Sequence, residues 1–123
     1  NLISNANIIG KNLQEGLRQL SNKHELIGDV RGRGLAIGVE LVKNRNKDKK
    51  AAKLETAKIV YRAYELGLVI FYVGMESNVL ELTPPLIMSQ NESKLGLEIL
   101  DQAFTDVSNG LVPDAAIEKY KGW

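Results

Sequence analysis

The chain has 123 residues, 44% hydrophobic and 25% charged, ordinary globular proportions that suffice for one domain with one core. Sixteen basic residues against fifteen acidic ones leave a formal charge of +1, which argues against the broad basic footprint of a nucleic-acid or anionic-membrane binder. There is no cysteine, hence no disulfide framework and no thiol nucleophile; this is compatible with a reducing compartment, and we expect a cytoplasmic protein.

In chain order, Leu2, Ala6, Ile9, Leu13, Leu17 and Leu20 recur every three or four residues and predict an amphipathic helix over 2–22. Its interior Gly10 and Gly16 disfavour helix, so they are expected to permit close packing. The opening stretch NLISNANIIG has neither an initiator Met nor a signal segment and reads as the inside of something longer. "GDVRGRG" is expected as an edge strand leading into "LAIGVELV", where Leu35, Ile37, Val39 and Leu41 form an apolar face and Ala36, Gly38, Glu40 and Val42 the other. The basic run Lys43 to Lys50 has the composition of a solvated loop.

A second helix is predicted over 51–66, with Ile59, Val60, Ala63 and Leu66 on its apolar side and Gly67 as its cap. Leu68 to Val73 is the longest apolar run, far short of the roughly 18 residues of a membrane span, and reads as a central strand. After a "GMES" turn, "NVLEL" completes an antiparallel hairpin. Within it Val79, Glu81 and Thr83 alternate with Leu80 and Leu82, so a carboxylate lies on one face of a short strand just before Pro84-Pro85. Ser89 and Glu92 have capping-box spacing and open a third helix with the stripe Ile99, Leu100, Ala103, Phe104 and Val107, ending near Asn109-Gly110. A short tail helix after Pro113-Asp114 closes the pattern. Together these elements define an α+β fold: a small antiparallel sheet of about four strands, covered on one face by three helices, in a single domain spanning 1–123.

Chemistry-bearing motifs are few. The glycines of "RGRGLAIG" lead into a strand rather than a helix, so a tight turn explains them better than a dinucleotide fingerprint. His24, the only histidine, lacks neighbours at metal-ligand spacing and is expected as a helix C-terminal or loop residue; no metal site is expected. Tyr61 and Tyr64 are attributed to helix packing, and Trp123 has no informative neighbours. No catalytic residue is assigned within the chain.

"GDVRGRGLAIGVELV", a helix, "LGLVIFYVGMESNVLELTPPLIMSQNE" and a final helix, in this order and spacing, resemble the C-terminal small domain of class III pyridoxal-phosphate aminotransferases, the group of 4-aminobutyrate, ornithine and acetylornithine aminotransferases. The resemblance implies the small domain of a fold-type I homodimeric transaminase, which moves an amino group from an amino acid or ω-amino donor to a 2-oxo acid. It also implies that the Schiff-base lysine and the pyridoxal phosphate belong to a large domain absent from this chain, so no cofactor is expected on the chain alone and it should be inactive by itself. By the same resemblance the turn Arg31, Gly32, Arg33, Gly34 faces that large domain, near an exposed apolar patch that includes the first helix.

At the strand position where 4-aminobutyrate aminotransferases commonly carry a carboxylate-binding arginine, "NVLE" places Glu81, so the resemblance makes Glu81 substrate-facing but puts the usual carboxylate mode in doubt. Two alternatives stand beside a transaminase: an amino-acid racemase or epimerase of the same class, and a stand-alone, non-catalytic interaction module. A glutamate on an open sheet face also has a bland explanation as a solvated strand residue.

Overall fold

Asn1 starts the first helix by accepting hydrogen bonds at its side-chain oxygen from the backbone N–H groups of Ile3 (3.0 Å) and Ser4 (3.2 Å). In the computed structural model, which describes residues 1–120, α1 (Leu2–Lys23) is followed by β1 (Ile27–Arg33), β2 (Ala36–Asn44), β3 (Asp48–Ala51), α2 (Lys53–Glu65), β4 (Phe71–Val73), β5 (Val79–Leu82), α3 (Gln90–Ser108) and the single turn α4 (Asp114–Ile117). The α+β class and the antiparallel sheet are as the patterning predicts. Trp123 lies outside the described residues.

The strands pair antiparallel in the order β1-β2-β5-β4, with β3 folded back on the end of β2. Ile37, Val39 and Leu41 of β2 and Leu80 and Leu82 of β5 point inward, joining Leu13 and Leu17 of α1, Ile59 and Ala63 of α2, and Leu100, Ala103 and Phe104 of α3 in one buried cluster. All three long helices therefore share one face of the sheet. The other face is bare.

Helix ends follow the local chemistry. Gly67 (φ +101°) and Gly110 (φ +73°) occupy the left-handed position after α2 and α3. Each allows the paired closing hydrogen bonds of a Schellman turn, Leu68 N–H to Ala63 O (2.8 Å) and Leu111 N–H to Asp106 O (3.0 Å) being the longer-range members. The predicted capping box forms: the Glu92 N–H donates to Ser89 Oγ (3.2 Å) and the Ser89 N–H to Glu92 Oε2 (2.7 Å). Ser89→Ala should therefore lower stability by about 1 kcal/mol in urea titration, the usual value of such a cap. An unchanged midpoint would show that the box contributes nothing in solution.

Two expectations need correction. Leu68 to Val73 is not a central strand: only Phe71–Val73 pairs, and it does so at the sheet edge, while β5 occupies the interior position. The apolar run misled because sheet position depends on which strands find partners. A strand in a sheet with one bare face needs only one apolar face to sit centrally, and Leu80 with Leu82 supplies it. Val69 and Phe71 of the apolar run are instead 68% and 65% exposed.

The run Lys43 to Lys50, expected as loop, is half strand. β2 extends to Asn44, whose side-chain oxygen accepts from Asn46 N–H (2.9 Å) and Lys47 N–H (3.2 Å), and this local turn reverses the chain so that Asp48–Ala51 pairs back on β2. Backbone pairing here needs no apolar alternation, which is why the pattern hid it. Arg45 is also bound rather than free: its guanidinium donates to the carbonyl oxygen of Ser21 and, at 3.4 Å, to those of His24 and Ile27, placing a cation at the negative end of α1.

Candidate substrate-facing site

The bare face of the sheet is built by strand alternation. With Gly38 paired to both Arg31 and Glu81, and Phe71 paired to Glu81, one row across the four strands reads Arg31, Gly38, Glu81, Phe71; the next reads Asp29, Glu40, Val79, Val73. Charge therefore concentrates on β1 and β2, and apolar surface on β4. Glu81 lies between them on an interior strand. Its side chain is exposed and, among the described residues, forms no hydrogen bond or ion pair. Arg31, the nearest cation in its row, is already engaged by Asp29 (2.9 Å) and Glu40 (3.6 Å).

The turn expected at Arg31 to Gly34 is narrower than its sequence implies. Arg31, Gly32 and Arg33 belong to β1, and only Gly34 and Leu35 turn the chain between the pair Arg33 and Ala36. Gly34 has φ +54° and Leu35 does not have a positive φ, the pattern of a two-residue type II′ hairpin loop with glycine first. The tight-turn reading of the glycines holds. Gly34 also receives α1: a Cβ on Gly10 would lie 2.1 Å from the Gly34 carbonyl oxygen, so two glycines let helix and turn touch backbone to backbone. Gly16 likewise faces Leu97, a Cβ there meeting Leu97 Cδ1 at 2.4 Å. Leu2, Ile3 and Ile8 of α1 are exposed, and Asn7, Lys11, Gln14, Arg18 and Arg33 border a shallow polar depression beside the turn.

His24 is the C-cap of α1 and is buried, its ring stacked on Phe104 at 5.2 Å and its Nε2 2.7 Å from Asp101 Oδ1. Lys23 donates to the other Asp101 oxygen at 2.7 Å, and this bond is the main reason the carboxyl titrates below its usual range. Sequence reasoning missed a second link between helices. Asp106, on the buried stripe of α3, accepts from Arg62 Nε and from Gln102 Nε2, both at 2.7 Å, and the Arg62 bond holds its carboxyl below the ordinary range. The available signal was an acid two residues beyond Phe104 on an otherwise apolar helix face, which demands a partner. Tyr61 packs as expected, half-buried and stacked on Tyr120 at 5.8 Å along a groove beside β4, whereas Tyr64 is exposed.

Pyridoxal-phosphate chemistry would require a lysine in a cleft and a carboxylate placed for the ring nitrogen. Among the described residues Lys43 and Lys53 border a cleft, but both are exposed and Lys43 Nζ is held 2.7 Å from Glu55 Oε1, while the half-buried Lys58 has its Nζ 2.6 Å from Asp114 Oδ1. The residues present do not fit the cofactor, and no step through it is assigned to this chain.

A family profile, Aminotransferase class-III, matches residues 1–104, and the chain belongs to the class III aminotransferase family. It is 42% identical over 122 residues to the leucine/methionine racemase of Thermococcus litoralis, covering 99% of this chain and 27% of that protein. It is also 42% identical over 106 residues to the 4-aminobutyrate aminotransferase of Escherichia coli, covering 86% and 25% respectively. Among solved structures, an amine transaminase from an uncultivated Pseudomonas species in its pyridoxal-phosphate-bound form superposes with a TM-score of 0.78 at 28% identity, over 86% of this chain and 24% of that one. The chain thus spans about a quarter of the length of the relatives it matches.

Proposed function

We propose that this chain is the C-terminal small domain of a pyridoxal-phosphate-dependent transaminase that transfers an amino group from an amino acid or ω-amino substrate to a 2-oxo acid. The observation that carries the reading is the class III family match along residues 1–104. In this reading the cofactor and its lysine are held by a large domain outside these residues, the parent works as a cytoplasmic homodimer, and the small domain closes over the active site. The end of the β1–β2 hairpin, with Arg31, Gly32 and Arg33 on β1 and Gly34 in its turn, faces the large domain. The bare sheet face turns toward the substrate, with Glu81 in contact with it.

An unpaired carboxylate there disfavours a second substrate carboxylate and favours a substrate ammonium, since like charges repel and a charge-assisted hydrogen bond contributes about 1.5–3 kcal/mol. The test is the longer protein, given amino donors with and without a 2-oxo acid. Transamination yields a new amino acid and a new 2-oxo product in equal amounts. Inversion of the amino acid without any need for a 2-oxo acid would replace this reading by the racemase one, and neither activity would leave the interaction module. In an active transaminase, Glu81→Gln should lower kcat/KM for a diamine or basic amino acid by about tenfold while sparing neutral amino acids. Equal kinetics for every donor would return Glu81 to a solvated strand residue.

A further inference from the structure

Arg31, Arg45 and Arg62 are each engaged by carboxylates or backbone carbonyls. The remaining two arginines, Arg18 and Arg33, are not, and both border the shallow depression of about 280 Å³ beside the β1–β2 turn, as does Lys11. None of these cations forms an ion pair among the described residues, and no aspartate or glutamate borders the depression. Glu15 stands four residues after Lys11 and three before Arg18, the spacings at which helix ion pairs form, yet it pairs with neither. Asn7, Lys11, Gln14 and Arg18 follow one another at three or four residues and so share one stripe of α1, and Arg33, the last residue of β1, borders the same space. Gln14 Oε1 accepts from Arg18 Nη2 at 3.3 Å, so the amide hydrogens of Gln14 remain available as donors.

We propose that this depression is a binding site for multiply charged oxyanions of the phosphate-ester and diphosphate class, held by Lys11, Arg18 and Arg33. A guanidinium fork pairs with two oxygens of one anionic group, so a lone carboxylate occupies one arginine and leaves the other cations uncompensated. Like charges around one space repel one another; an anion with several charges relieves that repulsion, whereas a cation adds to it. An uncharged apolar ligand finds no apolar side chain on the wall. Gly32 and Gly34 contribute no side chain, so the hairpin end leaves the space open. The site itself does not depend on the transaminase reading. Under that reading, an anion bound beside the hairpin end would lie at the boundary with the large domain.

The experiment titrates the chain at neutral pH and constant low ionic strength with inorganic diphosphate, inorganic phosphate and acetate, following the amide NMR shifts of Lys11, Gly32 and Gly34. Diphosphate should bind about fivefold more tightly than phosphate, and acetate more weakly than either, since each added charge contributes on the scale of one exposed ion pair. Arg18→Gln and Arg33→Gln should each weaken diphosphate by about the same factor. Neither should move the melting temperature, because both side chains are exposed and neither is ion-paired. Lys49→Gln, which removes an exposed cation on β3 outside the depression, should leave binding unchanged. Equal affinity for the three anions, no binding of diphosphate, shifts confined to the basic run at Lys47, Lys49 and Lys50, or equal losses from Lys49→Gln and Arg33→Gln would each overturn the proposal.

Discussion

Gly10→Ala is expected to lower stability by about 3 kcal/mol or more, beyond the usual cost of a single extra methyl in a packed core. The new Cβ would stand 2.1 Å from the carbonyl oxygen, 2.3 Å from the carbonyl carbon and 2.8 Å from the Cα of Gly34. These are backbone atoms of a type II′ turn, which no rotamer change can move. Relief requires lifting α1 from the β1–β2 hairpin, and Ile9, Leu13 and Leu17 would leave the core with it. For a chain of 123 residues the melting temperature should fall by roughly 10 °C. Gly96→Ala serves as the control, since its Cβ meets open space and the helix should gain about 0.5–1 kcal/mol. If both variants melt together, the contact between α1 and the turn is not as described.

Arg62→Ala should cost about 3 kcal/mol at neutral pH because it leaves the Asp106 carboxylate buried with Gln102 as its remaining side-chain partner. The cost should depend on pH in a definite direction. Arg62 depresses the Asp106 pKa in the folded state, so the stabilisation is present above the unfolded pKa, near 3.9, and is lost as pH falls through the lower folded value. The parent chain should therefore lose stability toward acid, with Asp101 contributing in the same sense through Lys23 and His24. In Arg62→Ala that depression is largely removed, so the two stability curves should converge below about pH 4. Urea midpoints from pH 3 to 7 for both proteins measure this. A constant difference across the range would mean that lost packing of the arginine stem, rather than its charge, accounts for the effect.

How much of this was legible in the sequence varies from element to element. The three long helices, the glycine ends of α2 and α3, the capping box at Ser89 and the inward faces of β2 and β5 were legible because each depends on neighbours within one or two turns or on strict alternation. The placement of Glu81 on the bare face followed from the same alternation. Gly10 and Gly16 were recognisable as packing glycines, although their partners Gly34 and Leu97 were not.

By itself, then, the sequence determined the α+β class, the apolar faces and the exposure of Glu81, since side-chain direction in a helix or strand is a local property of the backbone. Only the tertiary structure decided which strand is interior, where β3 pairs, that Arg45 closes α1 and that Arg62 and Asp106 join α2 to α3. These features depend on pairing between residues far apart in the chain. The three-residue edge strand β4, the four-residue interior strand β5 and the unpaired residues 68–70 are all short and mostly apolar, and partner choice rather than residue type separates them. The cleft between residues 68–70 and 81–85 exists for the same reason: residues 68–70 have strand composition but no strand partner.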